Sequence, residues 1–215
     1  MVTFRWFGQA CFEISDGKTI VTDPHDGDSV GLKPPDTEGD IVTVSHDHYD
    51  HASGKDMVSK PDSILVEGAR ETEKASEIGL QAFKTYHDKV GGDARGENTI
   101  FKFELDGLNI CHLGDLGHKL ELETVQKLRP VDVLLIPVGG KFTIDGREAA
   151  EITEELEPWV AIPMHYDIEG LGVPISSAKE FLGHLQGEYG ILRKEELELD
   201  DLPEERIVCV LDCLA

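Results

Sequence analysis

The stretch Ser45-His46-Asp47-His48-Tyr49-Asp50-His51 follows at once on the apolar run Ile41-Val42-Thr43-Val44. A β-branched run of this kind reads as a buried strand, and the polar cluster after it as the loop into which the strand opens. Three histidines and two aspartates fall within six residues of a chain that has nine histidines in all. A chance collection in a polar loop is a poor account of that density. Imidazole and carboxylate are the usual ligands of zinc and also suit manganese and iron. While a backbone stays extended its side chains alternate, so positions 46, 48 and 50 share one side. Position 51 then points the other way unless the chain turns there. The pattern suits two metal ions better than one: His46 and His48 converge on the first, and Asp50 and His51 swing to the second.

The same order, an apolar run and then a ligand-type residue, recurs along the chain. Asp23 ends Thr19-Ile20-Val21-Thr22, Asp115 closes His112-Leu113-Gly114-Asp115, and His165 follows Ile162-Pro163-Met164. His87 lies in Thr85-Tyr86-His87-Asp88, with Gly91-Gly92 beyond. Together with residues 45–51, these landmarks resemble the H-x-H-x-D-H signature and its companions in the metallo-β-lactamase superfamily, in that family's order. Val138-Gly139-Gly140-Lys141-Phe142-Thr143 is similar to a loop in the branch that includes ascorbate-6-phosphate lactonase and related hydrolases. The resemblance spans about residues 1 to 167, and no motif is matched beyond.

The resemblance implies an α/β (α+β) fold, the four-layer αβ/βα sandwich, with metals at the edge where strand-end loops meet. It implies that His46, His48 and His87 hold one ion and Asp50, His51 and His165 the other, with Asp115 bridging. Asp23 would orient a ligand from behind. The cofactors implied are two divalent metal ions, zinc first. No cysteine falls at a ligand position, and that all-N,O set leaves manganese and iron open. A metal-bound water can have its pKa lowered to roughly 7, giving hydroxide at neutral pH. Asp50 is then the catalytic residue that orients it and shuttles its proton. The function implied is hydrolysis of a small ester, lactone, amide or phosphoester. The alternatives are a phosphodiesterase acting on nucleotides or RNA, and a metal-binding protein without catalysis.

Charge narrows the partners. Lys and Arg total 20 against 43 Asp and Glu, a net charge of -23. Nucleic-acid binders usually carry a basic face, so the sign counts against RNA, and it counts equally against an anionic membrane surface. The expected partner is a small-molecule substrate; the sequence leaves the oligomeric state open. No apolar run approaches the roughly 20 residues needed to span a bilayer, and the first residues lack the long apolar core of a signal peptide. Cys11, Cys111, Cys209 and Cys213 sit in or beside apolar runs, as buried thiols do. A reduced, cytoplasmic protein of one domain, residues 1–215, is the expectation.

Several polar residues near these motifs read less sharply. His112, on the same run as Asp115, either bonds a ligand or packs in the core, and packing is favoured. His118 follows Gly117 and either reaches substrate or is a surface histidine. Lys141, after two glycines, either faces an anionic group or is solvated. His25, in the Pro24–Asp40 loop, is expected to be solvated. Along the chain, strands are expected at 2–7, 10–14, 18–22, 41–44, 63–66, 81–86, 98–105, 108–113, 131–138, 159–164 and 206–211. Helices are expected at 71–78, 120–128, 145–156 and from Ser176 or Ser177 to Leu185, with a short helix or turn at 54–58. Asp16-Gly17 and Asp106-Gly107 read as hairpin turns.

Overall fold

The structure is a computed structural model that describes residues 1–69 and 72–215. The first half opens with β1 (Val2–Trp6), β2 (Phe12–Ser15) and β3 (Thr19–Thr22), followed by β4 (Gly39–Val44), the helices α1 (Tyr49–Ala52) and α2 (Lys55–Val58), and β5 (Ser59–Glu67). Then come β6 (Gln81–Tyr86), β7 (Glu97–Leu105), β8 (Leu108–His112), α3 (Leu122–Leu128), β9 (Val133–Pro137), α4 (Gly146–Leu156) and β10 (Val160–Met164). The last part is α5 (Lys179–Leu185), β11 (Gly190–Lys194), β12 (Glu196–Leu199) and β13 (Ile207–Leu211). One sheet runs β12-β1-β2-β3-β4-β5, the other β11-β13-β10-β9-β8-β7-β6.

Alternation along the strands builds the layers. Ile20 and Ile41 point to the main core between the sheets, where they meet Phe4, Phe12, Phe101 and Phe103. Their neighbours Val21 and Val42 point to the opposite face and pack with Val58 of α2. β9 and β10 are buried at every position, as strands covered on both faces must be; Ile152 and Leu156 of α4 and Phe181 of α5 join their core. The order is therefore helix, sheet, sheet, helix, the expected four-layer αβ/βα sandwich. Among the described residues no helix is long and apolar enough to cross a membrane.

Most expected elements are present, and the exceptions have local causes. Pro61, expected to precede a strand, lies inside β5. It is tolerated because β5 is an edge strand whose pairing with β4 jumps from Gly39↔Ser59 to Ile41↔Ile64, and edges and bulges accept a residue without an N–H. The helix expected over 71–78 is a 3-10 segment, Thr72–Ile78, kinked at Ala75; Glu71 lies outside the described residues. Gly79 does take the left-handed conformation of a helix-ending glycine. α5 begins later than expected, with Ala178 rather than a serine at its cap and no side-chain capping bond. α4 carries the full capping box, Asp145 accepting from the Glu148 N–H and Glu148 reaching back. At the 106–107 turn both residues have positive φ, as the tight primed hairpin requires.

The segment beyond the resemblance closes both sheets. β11 and β12, neither foreseen, are the outer strands next to β13 and β1. β12 alternates, with Leu197 and Leu199 buried and the glutamates between them exposed. Four charge-rich residues hid that short pattern. All four cysteines are free, Cys11, Cys111 and Cys209 buried and Cys213 half-buried, and burial pushes the Cys111 thiol up to about 12.

Candidate metal centre

The strands β3 and β4 run parallel in one sheet, and β8, β9 and β10 run parallel in the other. Loops leaving their C-terminal ends meet at one edge, where ligands of open α/β sheets collect. Asp23 follows β3, residues 45–51 follow β4, His87 follows β6, Asp115 lies just beyond β8 and His165 follows β10. Asp23 and His165 both have positive φ, 42° and 51°, so the chain turns sharply at each strand end. An extended run through position 50 does not occur. The chain turns into α1 at Tyr49, with His48 at the N-cap. That single turn separates the His46/His48 pair from Asp50 and His51, which the sequence pattern required.

The side chains form two adjoining groups. In one, ligand atoms of His46, His48 and His87 lie within 4.8 Å of one another; in the other, those of Asp50, His51, Asp115 and His165 do. His46 Nε2 and His48 Nδ1 are 2.9 Å apart. Asp115 Oδ2 faces both groups, 3.2 Å from His87 Nε2, 3.1 Å from His51 Nε2 and 3.4 Å from His165 Nε2. Every member is buried except His48, which is half-buried.

Behind the groups, Asp23 accepts the Ser45 N–H at 2.6 Å and the Ser45 hydroxyl at 2.7 Å. It also lies 2.9 Å from His51 Nδ1. Ser45 Oγ is in turn 2.9 Å from His46 Nδ1. With the hydroxyl proton on Asp23, Ser45 accepts from the His46 Nδ1–H. One carboxylate thereby orients a histidine in each group and, once His51 gives up its extra proton, leaves both Nε2 lone pairs facing inward.

The residues present fit cations. Asp23, Asp50 and Asp115, all buried, surround His51, and buried carboxylates require compensating positive charge. In the metal-free protein His51 supplies it: burial opposes its charge, but Asp115, Asp50 and Asp23 hold its pKa well above the ordinary value. The Asp115 carboxyl, despite its burial, is held far below the usual range by His165 and His51. Burial, reinforced by the His51 charge, lowers His46 to about 3, and burial lowers His87 to about 4 despite Asp115. Both are neutral at pH 7, the form in which an imidazole can offer a ring lone pair to a metal. Asp115 Oδ1 and His51 Nε2 are buried with no hydrogen-bond partner, and a bound ion would satisfy both.

The less certain residues separate. His112 is fully buried, its Nε2 3.0 Å from the Ala10 carbonyl while Nδ1 accepts the Gly114 N–H; it packs against Phe12 and belongs to neither group. His118 is half-buried with both ring nitrogens engaged, accepting the Tyr86 N–H and bonding the Lys119 carbonyl. His25 corrects the expectation of a solvated loop. It is fully buried, 2.8 Å from the Phe7 carbonyl, and accepts the Gly27 N–H. Lys141 is exposed, its Nζ 5.1 Å from the Phe142 ring; the Arg95 guanidinium lies 4.5 Å from the same ring. Neither cation forms an ion pair among the described residues. Arg95 lines a cavity of about 640 Å³ that His46 and His48 also line.

Three supporting residues lie outside the site expected from the sequence. Asn98 is fully buried and accepts the Asp115 N–H at 2.8 Å while donating to the Leu113 carbonyl and Thr85. Asp88 accepts the N–H groups of Val90, Gly92, Ala94 and Arg95. Those four donors outweigh its burial and hold its carboxyl down at about 2. Gln9, also fully buried, touches the second group; its only signal in sequence is a lone amide between Phe7-Gly8 and Ala10-Cys11-Phe12.

A family model described as a β-lactamase superfamily domain matches residues 3–165. The chain belongs to the metallo-β-lactamase superfamily. It is 31% identical to a UPF0173 metal-dependent hydrolase of Thermococcus kodakarensis, over 93% of this chain and all of that one. A second relative, from Thermococcus onnurineus, is also 31% identical, over 78% of this chain and 85% of its own. A crystal structure from Thermotoga maritima, described as a candidate Zn-dependent hydrolase of the superfamily, superposes with a TM-score of 0.75 and 35% identity, covering 98% of each chain. The chain is thus a metal-dependent hydrolase of the metallo-β-lactamase superfamily, with side chains able to bind metal at the parallel strand ends.

Proposed function

We propose that the protein hydrolyses a small ester, lactone, amide or phosphoester at a dinuclear metal centre. His46, His48 and His87 would hold one ion and Asp50, His51 and His165 the other, with the Asp115 carboxylate available to both. The observation that carries this reading is Asp115 Oδ2, one carboxylate oxygen that lies 3.1–3.4 Å from histidine nitrogens of both groups. When bound, two such ions supply Lewis acidity, acidifying a water nucleophile and polarising a carbonyl or phosphoryl oxygen. The protein's own groups supply the rest. Asp50 orients the attacking water and carries its proton to the leaving group. Asp23 and Ser45 hold His46 and His51 in the ligating tautomer. Zinc is the first expectation, with manganese or iron compatible with the all-N,O donor set.

The substrate is a small molecule with at most one or two negative charges, reached from a cytoplasmic pool. The cavity beside His46 and His48 supports this, being sized for a metabolite, and so do Arg95 and Lys141, cations around Phe142 without an ion pair among the described residues, in a chain of net charge -23. A branch resembling ascorbate-6-phosphate lactonase fits that chemistry. The test is a screen of purified protein against lactones, carboxylic esters, phosphodiesters, phosphomonoesters and β-lactams, with zinc and manganese in parallel and elemental analysis of the same sample. About two ions per chain and turnover of one small class are expected. Fewer than one ion after reconstitution would falsify the dinuclear reading.

A further inference from the structure

Gln9 sits in the turn after β1 with φ at 44°, a left-handed conformation that L-residues rarely adopt. Among the described residues six non-glycine residues have positive φ, and Gln9, Asp23 and His165 meet at this one centre. Such a conformation is costly for a non-glycine residue and persists where its surroundings over-determine it. Here the backbone does so. The Gln9 carbonyl accepts the Trp6 indole N–H and the His165 N–H, each at 3.0 Å. The turn is closed by Phe7 N–H to the Cys11 carbonyl and Cys11 N–H to the Gly8 carbonyl.

None of those bonds uses the Gln9 side chain. Its amide Nε2 is 3.0 Å from Asp50 Oδ2 and 3.2 Å from His165 Nε2, while Oε1 is buried without a partner. Asp50 and His165 belong to the same ligand group; the amide touches no member of the other. An amide N–H fixes a carboxylate oxygen without neutralising it, whereas a lysine or arginine there would repel a cation. Once His165 Nε2 is committed to a ligand, its lone pair no longer accepts from Gln9, but the bond to Asp50 remains.

We propose that Gln9 is a positioning residue for the Asp50–His165 group alone, and so sets the affinity of one of the two metal sites. The inference rests on the dinuclear reading above. The test is titration of the metal-free protein with Co²⁺, followed by its electronic absorption and by competition with a chromophoric chelator. Gln9→Met keeps the side-chain volume and the backbone bonds but loses the donor. It should keep one equivalent at wild-type affinity and weaken the other about tenfold or more, the range for lost outer-shell partners. Gln9→Asn, its amide one methylene short, should behave alike, and covers failure of the first variant to fold. Thermal stability and far-UV circular dichroism should match wild type. Both equivalents unchanged, or both weakened together, would overturn the assignment. Wild type binding only one Co²⁺ would instead overturn the dinuclear reading, and this inference with it.

Discussion

Asp115 is the side chain on which the two histidine groups meet, its Oδ2 lying against nitrogens of both. An amide cannot offer two anionic oxygens, so Asp115→Asn should lower the affinity of both metal equivalents together. His118→Ala, which removes a histidine whose nitrogens are already engaged, should leave both intact. Metal titration of the two variants side by side checks the pair; tight binding of two ions by Asp115→Asn would remove the bridge. The histidines also set a pH dependence for the metal-free protein. His46 and His87 are depressed to about 3 and 4 from an ordinary 6.5. Between those limits the unfolded chain binds protons that the folded chain refuses, so stability rises with pH across that window. The melting temperature of the metal-free protein should fall steadily from pH 6.5 to 4, and His87→Asn should flatten part of the slope. A level profile would mean that these imidazoles take protons freely in the fold.

The elements explain why those side chains stay where they are. Gly117 packs so closely on the backbone of His87 and Asp88 that a Cβ would lie 2.3 Å from both His87 C and Asp88 N. Gly117→Ala must therefore move the loop that carries His87. It should weaken the His46–His48–His87 equivalent far more than the other, and selective loss in a Co²⁺ titration is the readout. Asn98 ties β7 to the turn that presents Asp115. Replacing it by alanine strands a buried carbonyl and a buried N–H, which costs about 1–3 kcal/mol for each unsatisfied group. Asn98→Ala should lower the denaturant midpoint at unchanged m-value; a variant as stable as wild type would show that water replaces the amide.

Over the whole molecule, the proposed two-ion centre would be a local positive site in an anionic body of net charge -23. Long-range repulsion is screened by salt, whereas direct ligation at the metals is far less sensitive. Raising ionic strength should therefore increase kcat/KM for a short RNA much more than for a small phosphodiester on the same preparation. Efficient RNA cleavage at low salt that declines as salt rises would reveal a basic footprint and move the phosphodiesterase reading to the front.

Much of this protein is legible one residue at a time. The cluster at residues 45–51 stands out because metal chemistry admits few side-chain types and a strand end places them at short, fixed spacing, whereas His87, Asp115 and His165 join it only through the family resemblance. Strands such as β1 and β9 stand out because period-two or fully apolar runs report burial directly, and the α4 capping box because its bonds close within three residues. What escaped depends on contacts between distant segments. β11 and β12 are edge strands, half-paired and rich in charge, so their identity comes from β13 and β1 rather than from their own pattern. His25 is buried by the turn at Phe7, and Asn98 acquires its role from Asp115, 17 residues on. Gln9 reads in sequence as one amide in an apolar run. Its meaning comes from Asp50, 41 positions away, and from His165, 156 positions away. No local periodicity encodes a hydrogen bond across that distance; packing two sheets face to face creates it.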